Sequence, residues 1–94
     1  MPTWLYRGSI DPATSTLRDE VRPSHLAYQA LQDNLAGGPL LDDDGNAIGS
    51  MVIFEADDRD QAAARVAADP YVKEGVITDW TLDVLVRALW PEVS

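Results

Sequence analysis

The sequence predicts an α+β fold, a ferredoxin-like βαββαβ domain with a four-stranded antiparallel sheet and its helices on one face. Strand-like and helix-like periodicities follow one another as strand, helix, strand, strand, helix, strand over 94 residues. That length holds one core, so residues 1–94 are expected to form a single domain, with its core over about 3–86 and a tail over 87–94. Within it, Gly49–Ala56 reads GSMVIFEA, with Met51 and Ile53 on one side, Val52 and Phe54 on the other, and both sets apolar. A strand apolar on both sides belongs to a sheet covered on both faces. The helices of so short a chain cover one face, so a homodimer through the open sheet face is expected.

Residues 3–8 are rich in aromatics and read as the first strand, closed by Gly8. Asp11-Pro12 then offers a cap with proline at the first helical position. Leu17, Val21, Tyr28, Leu31 and Leu35 recur at helical spacing, predicting a helix to about Ala36, kinked or restarted at Pro23 and stopped by Gly37-Gly38-Pro39. After Pro39-Leu40-Leu41, three aspartates and Gly45 invite a calcium-loop reading. The spacing rejects it, because with Gly45 at the loop's sixth position the first and twelfth ligands would be Leu40 and Met51. An Asp-Gly hairpin turn accounts for the same residues. Asp57 or Asp58 caps the next helix, with Gln61 completing a capping box after Asp58. Asp69-Pro70 opens a further turn ended by Gly75, and residues 76–86 form the last strand. The tail is expected to be briefly helical before Pro91, with Trp90 packed on a neighbour.

Seven basic residues against sixteen acidic give a net charge of −9. Such a field repels phosphate backbones and anionic bilayers, so neither nucleic acid nor membrane is an expected partner. Without cysteine there is no disulfide and no thiolate metal site, and the composition suits a reducing cytoplasm. Met1-Pro2-Thr3-Trp4 shows no signal peptide, and no apolar run approaches the ~20 residues of a membrane span.

The chemistry that remains centres on His25, the one histidine. Imidazole is the side chain that titrates near neutral pH without perturbation, which makes His25 the leading candidate for proton transfer. It lies four residues after Val21 and three before Tyr28, on the inward side of its helix. The bland alternative is a packed histidine with a satisfied ring.

Arg22-Pro23-x-His25-Leu26, Gly38-Pro39-Leu40, Asp43-Asp44-Gly45, Gly49-Ser50, Glu55-Ala56 and Asp69-Pro70-Tyr71 with Gly75-Val76 stand in order over about residues 20–78. This series resembles the YciI-like, or YCII-related, family, and its His and Asp-Pro-Tyr segments are the most specific parts. The resemblance implies a dimeric ferredoxin-like fold of the dimeric α/β barrel type. It also implies an active-site pair, whose matching positions here are His25 and Asp69, and lyase or dehalogenation chemistry on hydroxylated aromatics. A short turn replaces the longer Gly-rich loop of some relatives, and the C-terminal tail also departs from the pattern.

Asp69 has a sufficient structural role as the cap before Pro70. Yet a carboxylate has two oxygens and can cap a backbone N–H while accepting from a ring nitrogen, which fixes the tautomer and leaves the other nitrogen free for proton transfer. Ser50 is expected to line the pocket, Tyr71 to wall it, and Arg22 and Arg7 to neutralise an anionic substrate, against the commoner roles of packing and solvated surface charge. No metal site is expected from one histidine and carboxylates, and no phosphate-cradling loop or redox centre implies a cofactor. The function expected is a small cofactor-independent enzyme, of lyase or isomerase type, with a His25–Asp69 dyad acting on a small, hydroxylated aromatic substrate. The alternative is a non-catalytic dimer, binding a ligand or another protein, in which the pair is structural.

Overall fold

The computed structural model describes residues 1–91. Its elements are β1 (Thr3–Ile10), a single 3₁₀ turn (Pro12–Thr14), α1 (Ser15–Ala30), β2 (Asn34–Leu41), β3 (Ala47–Glu55), α2 (Arg59–Ala67), α3 (Pro70–Lys73) and β4 (Ile77–Val84). The strands form one antiparallel sheet in the order β2-β3-β1-β4, the ferredoxin-like arrangement expected. Trp4, Tyr6, Val52, Phe54 and Leu82 point to the helical side and are buried with Ala62 and Val66 of α2 and Tyr71 of α3. Leu17 and Val21 of α1 pack against this core.

β1 runs two residues past Gly8, which sits inside the strand rather than ending it. A Cβ at Gly8 would lie 2.6 Å from the Tyr6 hydroxyl oxygen and 2.7 Å from Ile77 Cγ2, so close packing requires glycine there. The proline of Asp11-Pro12 opens the 3₁₀ turn, with Asp11 accepting from the Ala13 N–H at 2.9 Å, and α1 follows directly. α1 passes through Pro23 without a break. Pro23 is exposed, as is Asp19, so the helical bond that proline cannot donate is lost on the solvent side.

The helix ends at Ala30, six residues before the expected Ala36. Its last turn tightens through Leu31 N–H to Tyr28 C=O and Gln32 N–H to Gln29 C=O, each at 3.1 Å. Leu31 is therefore 84% exposed, and Leu35 belongs to β2. Gly37-Gly38-Pro39, read as a helix stop, lies within that strand. β2 is an edge strand with β3 as its one neighbour, a position where Pro39 is tolerated.

The β2–β3 turn is the expected Asp-Gly hairpin. Gly45 has φ of +85°, and Asp42 Oδ1 accepts from the N–H groups of Asp44 at 3.0 Å and Asn46 at 2.9 Å. Asp58 caps α2 by accepting from Gln61 N–H at 2.8 Å, while the Gln61 side chain reaches back to Asp57 N–H at 3.4 Å. Asp69 caps α3, and Gly75, at φ of +82°, ends that turn.

The tail is not helical over its described part and folds onto its own chain. Arg87 Nε donates to Thr3 Oγ1 at 2.8 Å, its guanidinium lies 3.2 Å from Glu55, and its Cζ is 4.8 Å from the Trp90 ring centroid. Trp90 meets Arg87 of its own chain, and residues 92–94 of the tail lie outside the described residues. No helix among the described residues is long and apolar enough to cross a membrane.

Candidate active site

α1 and α3 meet over the helical side of the sheet, and that contact builds the site. His25 projects from the middle of α1 toward Asp69 at the start of α3. Its Nδ1 lies 2.7 Å from Asp69 Oδ1 and 2.9 Å from Oδ2. Asp69 is 2% exposed, a burial that a carboxylate tolerates only when its oxygens are filled. They are filled here. Tyr71 N–H donates to Oδ1 at 2.9 Å, and Gln29 Nε2 donates to Oδ2 at 2.9 Å.

Two further features hold the imidazole. The Tyr71 ring stacks on it at a centroid distance of 3.7 Å and an interplanar angle of 2°. Gln29, one turn after His25, is itself fixed: Asn34 Nδ2 donates to its Oε1 at 2.8 Å, and Arg65 Nη2 donates to Asn34 Oδ1 at 2.7 Å. A chain of hydrogen bonds therefore runs Arg65, Asn34, Gln29, Asp69, His25. Each amide flip in it is determined by its neighbours, since arginine only donates and a carboxylate only accepts. By the same rule Nδ1 carries a proton, and Nε2 is left with the lone pair in the neutral ring.

The pocket beside this pair has a volume of about 370 Å³, within the range of small-molecule sites. His25, Arg22, Ser50 and Tyr71 all line it, while Asp69 lies behind His25. Ser50 is buried and faces the helical side, opposite Gly8 of β1. Arg7 is not brought to this site. It pairs with Met51 and Thr81 on the open face of the sheet, because the alternation that buries Tyr6 turns Arg7 the other way.

Sequence reasoning missed Arg18, Gln29 and Asn34, which also line the pocket. Arg18, Arg22, His25 and Gln29 follow one another at steps of four, three and four, so the phase that places His25 inward would also have found Arg18 and Gln29. Asn34 carried no such signal, since it stood inside a helix extended too far.

The Tyr6 hydroxyl is buried with no hydrogen-bond partner. Burial, and then the nearby Asp69 charge, push it well above the ordinary phenol range, so it stays protonated. No cluster of three or more His, Cys, Asp or Glu side chains capable of holding a metal ion occurs among the described residues.

Residues 4–83 match the model of the YCII-related domain. The chain belongs to that family. Among solved structures, this YCII-related chain is similar to the 5-chloro-2-hydroxyhydroquinone dehydrochlorinase of Burkholderia phenoliruptrix AC1100, determined in complex with 2,5-dihydroxybenzoquinone. The two are 27% identical with a TM-score of 0.77, over 86% of this chain and 90% of the other. More distant likenesses concern the fold alone. A variant of SnoaB, a cofactor-independent oxygenase from Streptomyces nogalater, is 19% identical with a TM-score of 0.53, over 96% of each chain. An antibiotic biosynthesis monooxygenase is 14% identical with a TM-score of 0.55, over 92% of this chain and 97% of that one. No curated protein matches the YCII-related chain in sequence.

Proposed function

We propose that the pocket is the active site of a small cofactor-independent enzyme of lyase or isomerase type, acting on a small hydroxylated aromatic. The observation that carries this reading is the His25 ring, whose Nδ1 is bound by a buried, fully engaged Asp69 while the residue itself lines the pocket. The similarity to a dehydrochlorinase of a hydroxylated ring supports the substrate class.

In this reading Nε2 of His25 accepts the proton of a substrate hydroxyl. The O–H bond breaks, and its electron pair enters the ring. In an isomerisation a ring carbon takes the proton back from Nε2. In an elimination the ring carbon bearing the leaving group takes that proton; a second ring hydroxyl then gives its proton to Nε2, and its electron pair expels the leaving group as an anion, which leaves a quinone. Asp69 holds the imidazole in the tautomer this needs and balances the imidazolium formed, and Tyr71 keeps the ring plane fixed.

The protein acts as a homodimer through the open sheet face, where Leu5, Leu40, Met51 and Ile53 lie unburied by their own chain. The second reading is a ligand-binding or protein-interaction dimer with a structural pair. It draws on the fact that Asp69 also caps α3 and so ties α1 to the start of that helix.

Halide release from a panel of halogenated hydroxyhydroquinones decides between them. The native protein is expected to turn over at least one member, and His25→Ala to abolish turnover while remaining a folded dimer by sedimentation. Retained activity in the variant, or no turnover by the native protein, overturns the enzymatic reading. A monomeric native protein overturns the dimer.

A further inference from the structure

Two positive charges in the pocket have no ion-pair partner among the described residues. Arg18 and Arg22 stand one helical turn apart on α1, seven and three residues before His25, and both line the pocket. Carboxylates are not scarce, since the chain carries sixteen acidic residues against seven basic. Yet the ion pairs among the described residues are His25 with Asp69 and Arg87 with Glu55. Neither pocket arginine takes part.

Arg18 Nε is moreover buried and has no hydrogen-bond partner among the described residues. A buried donor left unmade bears its full desolvation cost, so an acceptor entering the pocket gains what the protein alone does not supply. Both charges also reach the wall of the site. Burial raises the Tyr71 hydroxyl above its ordinary value, and Arg18 and then Arg22 act to lower it, with Asp69 and Asp19 opposing them. Asp69 does not quench the arginines from within the pocket, because its oxygens are engaged by His25, Gln29 and the Tyr71 N–H.

The rest of the lining sets the shape of the partner. Ile10, Leu26 and Val52 are apolar, while Ser50 and Asn34 offer hydrogen bonds. Such walls suit the face of a ring and give a hydrated inorganic ion little in exchange for its water. We propose that the pocket takes a small cyclic organic acid, its carboxylate lying against the guanidinium groups of Arg18 and Arg22 and a ring hydroxyl reaching His25. A guanidinium presents paired N–H groups that match a carboxylate in geometry and charge. The inference rests on the active-site reading for the role of His25, but the charge preference is a matter of binding alone.

Calorimetric titration of the full chain with gentisate, hydroquinone and inorganic phosphate tests it. Gentisate is hydroquinone carrying one carboxylate, so the pair isolates that group. Gentisate should bind about tenfold or more tighter than hydroquinone, the scale of one charge-assisted contact of about 1.4 kcal/mol, and inorganic phosphate should compete weakly. Arg18→Gln and Arg22→Gln should each reduce the ratio of gentisate to hydroquinone affinity, and together bring it to about one. Equal affinity for the two rings, absent gentisate binding, phosphate competing as well as gentisate, or a preference that survives both substitutions overturns the proposal. His25→Ala separates the two readings: it should keep the preference whether or not turnover is ever observed.

Discussion

Asp58 and Asp69 occupy the same place in two helices and do different things. Each is the N-cap of its helix, and each accepts a backbone N–H, from Gln61 at 2.8 Å and from Tyr71 at 2.9 Å. Asp58 stands at the surface, where water fills its remaining acceptor capacity. Asp69 is buried, because α1 packs across the start of α3, and there His25 and Gln29 take the place of water. A cap becomes a candidate catalytic group when a second element covers it and supplies donors. Short-range sequence predicts the cap; only the packing of α1 on α3 supplies the rest.

Removing the two carboxylates should therefore have unequal consequences. Asp69→Ala strands the His25 Nδ1, the Gln29 amide and the Tyr71 N–H in a buried site, and is expected to cost roughly 3–5 kcal/mol, the scale for breaking a buried pair. Urea denaturation reads this as a large fall in midpoint. Asp69→Asn, which keeps a capping oxygen, should retain the fold but lose turnover, because an amide cannot balance an imidazolium. Asp58→Ala removes one exposed cap and should cost about 1 kcal/mol, with turnover unchanged. Equal midpoints for Asp58→Ala and Asp69→Ala would show that burial adds nothing to the cap.

Much of the frame was legible in the sequence because its signals are local. Asp58 with Gln61, Asp69 with Pro70, and Gly45 and Gly75 at positive φ are each decided within a few residues. The end of α1 was not legible. Leu31 and Leu35 continue the helical spacing of Leu17, Val21 and Tyr28, yet pairing with β3 draws Asn34–Leu41 into a strand that holds two glycines and a proline. The choice was made by a ladder with residues more than a dozen positions away, which periodicity does not see. His25, Arg22, Ser50 and Tyr71 lie together around the pocket, with Asp69 behind His25. Arg7 lies apart from them on the open face, a placement legible in β1, because the strand that buries Trp4 and Tyr6 must turn Arg7 the other way.

Asp42 completes the series as a half-exposed carboxylate that binds backbone N–H groups. A hydrogen bond from the Asn46 N–H does most to hold its carboxyl below the usual carboxylate range; desolvation, the next largest effect, opposes it, and the Asn46 side chain and the Asp44 and Gly45 N–H groups add to the lowering. Since the folded value lies below the unfolded one, the turn's contribution is present above the ordinary carboxylate pKa and is lost as pH falls through the lowered value. Asp42→Ala should thus lower the melting temperature slightly at neutral pH, less than Asp58→Ala does, and the gap from the native chain should close on acidification. A gap that persists unchanged at acid pH would mean that the Asp42 charge contributes nothing, and that the hairpin relies on Gly45 and the β2–β3 ladder alone.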